Sequence, residues 1–184
     1  MLLGFFPVRA IKVLFLAVVM AFLPACITSP PYSPLMGQRF VEAPVSVGRI
    51  AIIFSAPFEY RDKVLLPMAS KFPDVFKGTG VAVSSEVQTV NPLALGGDVN
   101  FFRARQAKPD AYLIVKVAGG SMGASYSFNL VFELLNSDGK GLWRGSSTLR
   151  RLSEMDMTGE QIAREILRVL VDEQVIRIQK GEAV

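Results

Sequence analysis

Beyond residue 48 the order of apolar and polar positions divides the chain into strands and helices. Arg49 to Ser55, RIAIIFS, is a continuous apolar run rich in β-branched residues, which suits a buried strand. Ala56-Pro57 breaks it, and residues 60–72 follow as a helix interrupted at Pro67. Gly78 and Gly80 turn the chain into a second strand, Val81 to Val90, in which Val81, Val83, Ser85 and Val87 share a face. Residues 91–98, NPLALGGD, read as a loop, with Asp98 placed to cap a short helix to Gln106 that turns Val99 and Phe102 inward. Ala111 to Ala118 is the next strand, and GGSMGAS a glycine-rich loop after it. From Tyr126 to Leu135 the residues Tyr126, Phe128, Leu130, Phe132 and Leu134 alternate with Ser127, Asn129, Val131 and Glu133, the strongest period-two signal in the chain. Asn136 to Gly139 is a turn, and Leu142 to Leu149 returns as the hairpin partner, with Trp143 near its start. Thr158 and Gln161 fit a capping box, with Met157 and Ile162 as its hydrophobic staple. Ile162, Ile166, Leu167, Leu170 and Val171 then form one helical stripe. The order β-α-β-(α)-β-β-β-α predicts an α+β domain at 49–180. Its mostly antiparallel sheet of four to five strands would carry helices packed on it.

The first 48 residues follow another pattern. Residues 1–25 carry Arg9 and Lys12, no acidic residue, and a twelve-residue apolar run from Val13 to Pro24. As a helix that run covers about 18 Å, short of the roughly 30 Å hydrocarbon core, so it reads as a signal peptide rather than a span. Leu23-Pro24-Ala25-Cys26 closes it and holds the only cysteine. Residues 26–48 contain Pro30, Pro31, Pro34 and Pro44 without strand or helix period, and are expected to form an extended tether.

Composition narrows the chemistry. The 184 residues include 20 Lys+Arg and 16 Asp+Glu, but two of the basic residues lie before Cys26, leaving 18 against 16. So even a balance lacks the basic stripe of a nucleic-acid binder. There is no histidine, which removes the commonest general base and metal ligand together. One cysteine excludes an internal disulfide, and an unpaired cysteine in an oxidising compartment needs a reason.

Leu23, Ala25 and Cys26 match the lipoprotein signal peptides, whose pattern is a leucine, one or two small residues and a cysteine; Pro24 departs from the small residue. The resemblance implies cleavage between Ala25 and Cys26, a lipid on Cys26, and anchoring in the cell envelope facing the periplasm. Ile27, standing where an aspartate would signal inner-membrane retention in enteric bacteria, points to the outer membrane. The alternative is an ordinary signal peptide that leaves Cys26 as a free thiol. From Pro109 onward, PDAYLIVKV, then YSFNLVFELLNSDGKGLWRG, then a terminal helix resemble the periplasmic α+β domain shared by penicillin-binding-protein activator lipoproteins, the curli secretion channel family and the amino-terminal domain of TolB. That resemblance spans about residues 49–178 and implies an architecture and an assembly or regulatory role. It transfers no functional residue, and Ala56-Pro57-Phe58 replaces the polar motif that follows the first strand in that group.

Gly119-Gly120-Ser121-Met122-Gly123 fits G-x-S-x-G, yet a nucleophile elbow joins a strand to a helix and needs a histidine later in the chain. Neither is present, and Lys116 is a remote substitute base. Phe101, Phe102, Arg103 and Arg105 form a candidate protein interface, since aromatics and arginine are enriched there; the alternative is a short helix with buried Phe and solvated Arg. The expectation is a non-enzymatic lipoprotein without cofactor or metal, held at the membrane through Cys26 and binding another envelope protein. A carrier of a lipid or small apolar ligand is the second reading, and a hydrolase using Ser121 the last.

Overall fold

The structure is a computed structural model that describes residues 32–90, 99–122, 126–150 and 155–179. Its elements in chain order are strands β1 (Met36–Arg39), β2 (Val45–Val47) and β3 (Arg49–Ala56), then a short α1 (Phe58–Tyr60), a π-helical segment (Arg61–Leu65) and α2 (Leu66–Lys77). There follow β4 (Ala82–Thr89), α3 (Phe102–Gln106), β5 (Ala111–Met122), β6 (Tyr126–Asn136), β7 (Gly141–Leu149), α4 (Met155–Asp172) and β8 (Ile176–Ile178). The α+β class holds.

The sheet is mostly antiparallel as expected, but it has more strands than expected and two of its pairs are parallel. The main sheet has six strands in the order β1-β7-β6-β5-β3-β4, and β2 and β8 form a second, two-stranded sheet. β3 runs parallel to both β4 and β5, while β5, β6, β7 and β1 pair antiparallel. The parallel pairs follow from connectivity. A helix between two strands returns the chain to its starting end, so the second strand must run the same way, whereas a tight turn reverses it. β3 therefore lies inside the sheet between two parallel neighbours, and its residues Ile50 to Ala56 are all buried. That burial on both faces explains the unbroken apolar run.

One sheet face is filled by α2 and α4. Ile50, Ile52 and Phe54 of β3, Leu113 and Val115 of β5, and Phe128, Leu130, Phe132 and Leu134 of β6 meet Met68, Phe72 and Phe76 of α2 and Ile162, Ile166 and Leu170 of α4 in one buried core. Phe72 sits edge-on to Phe54 at 5.4 Å and stacks with Phe76 at 5.9 Å. The two helices cross where a Cβ on Gly159 would fall 2.9 Å from the Met68 Cα, so that position has no room for a side chain.

Of the two outcomes expected at Pro67, a kink or a restart of the helix over 60–72, the structure has the restart. The preceding turn is π-helical, with the Leu66 amide donating to the Arg61 carbonyl five residues back, and Pro67 then occupies the first turn of α2, where a missing N–H costs nothing. The helical region runs on to Lys77. α4 begins at Met155, so Thr158 is not its N-cap; it lies inside the helix and is buried. Asp98 and the Phe102 side chain lie outside the described residues.

The stretch expected as a tether is folded from Tyr32 on. β1 pairs with β7 along Met36↔Ser146 to Arg39↔Trp143, and β2 pairs with β8 from Val45↔Ile176 to Val47↔Ile178. Tyr32 bridges Leu149, and Ser33 exchanges hydrogen bonds with Ser147 and Thr148. The loop expected from Gly119 to Ser125 is shorter as well, because Gly119 to Met122 continue β5 against Tyr126 to Asn129 of β6. A bulge at Ala118 shifts the register there. A Cβ on Gly120 would lie 2.4 Å from the Phe128 ring, which fixes glycine at that position.

Candidate functional site

The other sheet face is only partly covered. The segment from Val99 to Gln106 lies over β3 and β5, where Val99 and Ala104 pack on Ala51, Ile53, Tyr112 and Ile114. Phe101 sets its ring edge-on to Tyr112 at 5.1 Å, and the Arg105 guanidinium stands 6.0 Å from the Phe101 ring centre. Arg103 lines a groove of about 260 Å³ with Ser84, Ser85 and Glu86 of β4. The proposed interface residues Phe101, Arg103 and Arg105 are thus gathered on this face, with Phe101 acting as packing and the arginines reaching solvent.

Beyond that segment no other described residue covers the face across β5, β6, β7 and β1. Glu133 of β6 sits between two cations: Lys116 Nζ at 2.6 Å from one carboxylate oxygen and Arg144 Nε at 3.5 Å from the other. Alternation puts these three side chains opposite the core, because their neighbours Val115, Phe132 and Trp143 point into it. Next to the ladder, Val131, Arg144, Ser146, Met36 and Gln38 line a groove of about 380 Å³, and Met36 is 75% exposed. A third groove, about 350 Å³, lies at the second sheet among Pro44, Val171, Ile176 and Ile178.

At the lower rim of the sheet, the end with the β6–β7 turn, β1 is clasped to the end of α4. Arg39 donates to the carbonyls of Val41, Glu42 and Glu173, and Trp143, buried beside it on β7, donates its indole N–H to the Glu173 carboxylate at 3.2 Å. Asp110 fastens the start of β3, its carboxylate accepting the Gly48 and Arg49 amides at 2.8 Å each. Sequence reasoning missed Arg39 and Asp110, because their partners are backbone groups that leave no side-chain signature.

Among the described residues, three groups, Tyr32, Glu165 and Arg168, titrate away from their ordinary values. The hydrogen-bonded Arg168 guanidinium holds the Glu165 carboxyl low, against a smaller opposing effect of burial. Burial raises the Tyr32 phenol, and the Glu165 charge pushes it the same way. Arg168 is raised in turn by its hydrogen bond to Glu165.

The remaining sequence candidates gather no chemistry. Ser121 lies on β5 opposite Ser127, and its imagined base Lys116 is engaged by Glu133. Among the described residues no three or more His, Cys, Asp or Glu are grouped as a metal site would need, and no helix is long and apolar enough to cross a membrane. Ala25 and Cys26 lie outside the described residues.

No protein-family description and no curated protein matches the chain. Solved structures do. The PelC dodecamer from Paraburkholderia phytofirmans is 13% identical with a TM-score of 0.49, over 79% of this chain and 99% of that one. TolB from Acinetobacter baumannii is 13% identical with a TM-score of 0.39, over 76% of this chain and 31% of TolB. Lipoprotein GNA1162 from Neisseria meningitidis is 19% identical with a TM-score of 0.38, over 66% of this chain and 96% of that one. None of these identities assigns an activity.

Proposed function

We propose that the chain is a lipid-anchored envelope protein, attached through Cys26 and facing the periplasm, whose open sheet face binds another envelope protein without catalysis. The observation that carries this reading is the asymmetry of the main sheet. Its helix side is packed shut, while its other side presents the Lys116–Glu133–Arg144 ladder beside a groove edged by the exposed Met36. Partly exposed charges around an apolar contact suit a partner that must be recognised in one orientation. The lipobox resemblance supports the anchor, and Ile27 supports the outer membrane as its site.

Crosslinking of the lipidated protein in cells tests the reading. Arg144→Glu, on the open face, is expected to abolish crosslinks to a specific envelope protein, and Arg168→Glu, on the outer side of α4, to leave them. Equal crosslinking in both variants would remove the open face as the binding surface. A carrier of apolar cargo is less well supported, since the space between sheet and helices is occupied by Phe54, Phe72, Phe76, Phe128 and Phe132.

A further inference from the structure

The exposed Phe58 and Tyr32, where the described chain begins, lie at the same end of the fold. Tyr32 bridges Leu149 at the end of β7, and Leu149 stands opposite Phe128 at the start of β6. The Tyr60 ring meets Phe128 edge-on at 5.5 Å, so α1 sits over this same end. α1 begins with Phe58, which is 73% exposed and follows the half-buried Pro57. Among the described residues a second largely exposed aromatic, Phe40, lies at the opposite end, where its amide donates to the Leu142 carbonyl beside the β6–β7 turn.

Chain length decides what Phe58 faces. Six peptide steps separate Cys26 from Tyr32, which at full extension reach no more than about 20 Å. Because Tyr32 and Ser33 are fastened to β7, no further chain is available to lengthen that leash. We propose that, with Cys26 acylated, the Tyr32 end of the domain rests on the bilayer and Phe58 inserts into the lipid interface as a second, non-covalent contact. This inference rests on the anchoring reading. The charged residues that follow Phe58 directly in the chain, Glu59, the Arg61–Asp62 pair and Lys63, balance to zero. The contact is therefore apolar and does not require anionic lipid. The lipid on Cys26 holds the chain at the surface but leaves the domain free to turn on its leash, and a second apolar contact sets its orientation.

The single native cysteine makes the test direct, since acylation removes it from thiol labelling. Phe58→Cys and Phe40→Cys are each labelled with an environment-sensitive fluorophore in the lipidated full-length protein and placed in phosphatidylcholine vesicles containing brominated phosphatidylcholine. The probe at 58 is expected to be quenched at least about threefold more than the probe at 40, as befits a group some 5–10 Å into the interface. Mass spectrometry of the same preparation reads acylation first. An unmodified Cys26 overturns the anchoring reading and the orientation with it; an acylated protein whose two probes are quenched alike, or not at all, overturns the orientation alone.

Discussion

The indole of Trp143 lies along its own strand over Gly145, so close that a Cβ at Gly145 would fall 2.3 Å from the ring. On the neighbouring strand Gly37, paired directly with Gly145, meets the same ring at 2.6 Å. Two glycines that would weaken a sheet edge thus make a bed for its largest side chain. Gly145→Ala is expected to cost about 2–3 kcal/mol by overpacking, measured by denaturant unfolding. In a Trp143→Leu background the same change should cost much less; additive losses would show that the ring is not what the methyl meets.

Arg39 ties β1 to the carbonyls of Val41, Glu42 and Glu173. Arg39→Ala is expected to remove about 1–2 kcal/mol from β1's attachment, and to appear first as faster amide exchange across Met36 to Phe40. Exchange unchanged there, with the core amides accelerated instead, would contradict a local clasp.

Asp110 accepts two backbone amides at the start of β3. Asp110→Ala leaves both without that acceptor, and a loss of about 1–3 kcal/mol follows. Asp110→Asn, which keeps an acceptor oxygen, should recover a good part of it in the same unfolding measurement.

The raised Tyr32 phenol sets an alkaline limit. A folded pKa above the unfolded one near 10 means the group's contribution is whole below that value and declines as pH rises through the folded pKa. Glu165 works in the opposite sense: with its carboxyl held low, its contribution is present above the ordinary carboxylate pKa and is lost on acidification through the folded value. Tyr32→Phe is expected to flatten the alkaline fall in stability while leaving the acid side unchanged, as followed by thermal unfolding across pH.

Cys26→Ser is expected to abolish incorporation of a palmitate analogue and to move the protein out of the membrane fraction. Continued membrane attachment in that variant would assign the anchor to an uncleaved N-terminal segment.

Elements whose residues meet the core in a regular rhythm were legible from sequence: β3 by its unbroken apolar run, β6 by strict alternation, α4 by its stripe through Ile162, Ile166 and Leu170. β1 was not, because three of its four residues are exposed and Gly37 offers no side chain at all. Its place is set by backbone pairing with β7 and by Arg39 reaching main-chain carbonyls, neither of which has a compositional mark. The prolines around it suggested a free linker, yet edge strands and strand starts tolerate proline. The candidate face was half legible. Phe101, Arg103 and Arg105 stand together in the chain, but Glu133, Lys116 and Arg144 come from three strands and meet only through register.

The joint between Tyr32, Ser33 and β7 also has a mechanical meaning. Tension from a lipid at Cys26 would enter the fold at the Leu149 end of the edge strand and run along it towards Arg39. Drawn along the strand axis, the β1–β7 hydrogen bonds resist together in shear; drawn sideways, they open one after another from Tyr32. A partner that tilts the domain on its leash would therefore change how firmly the first strand is held, without touching it.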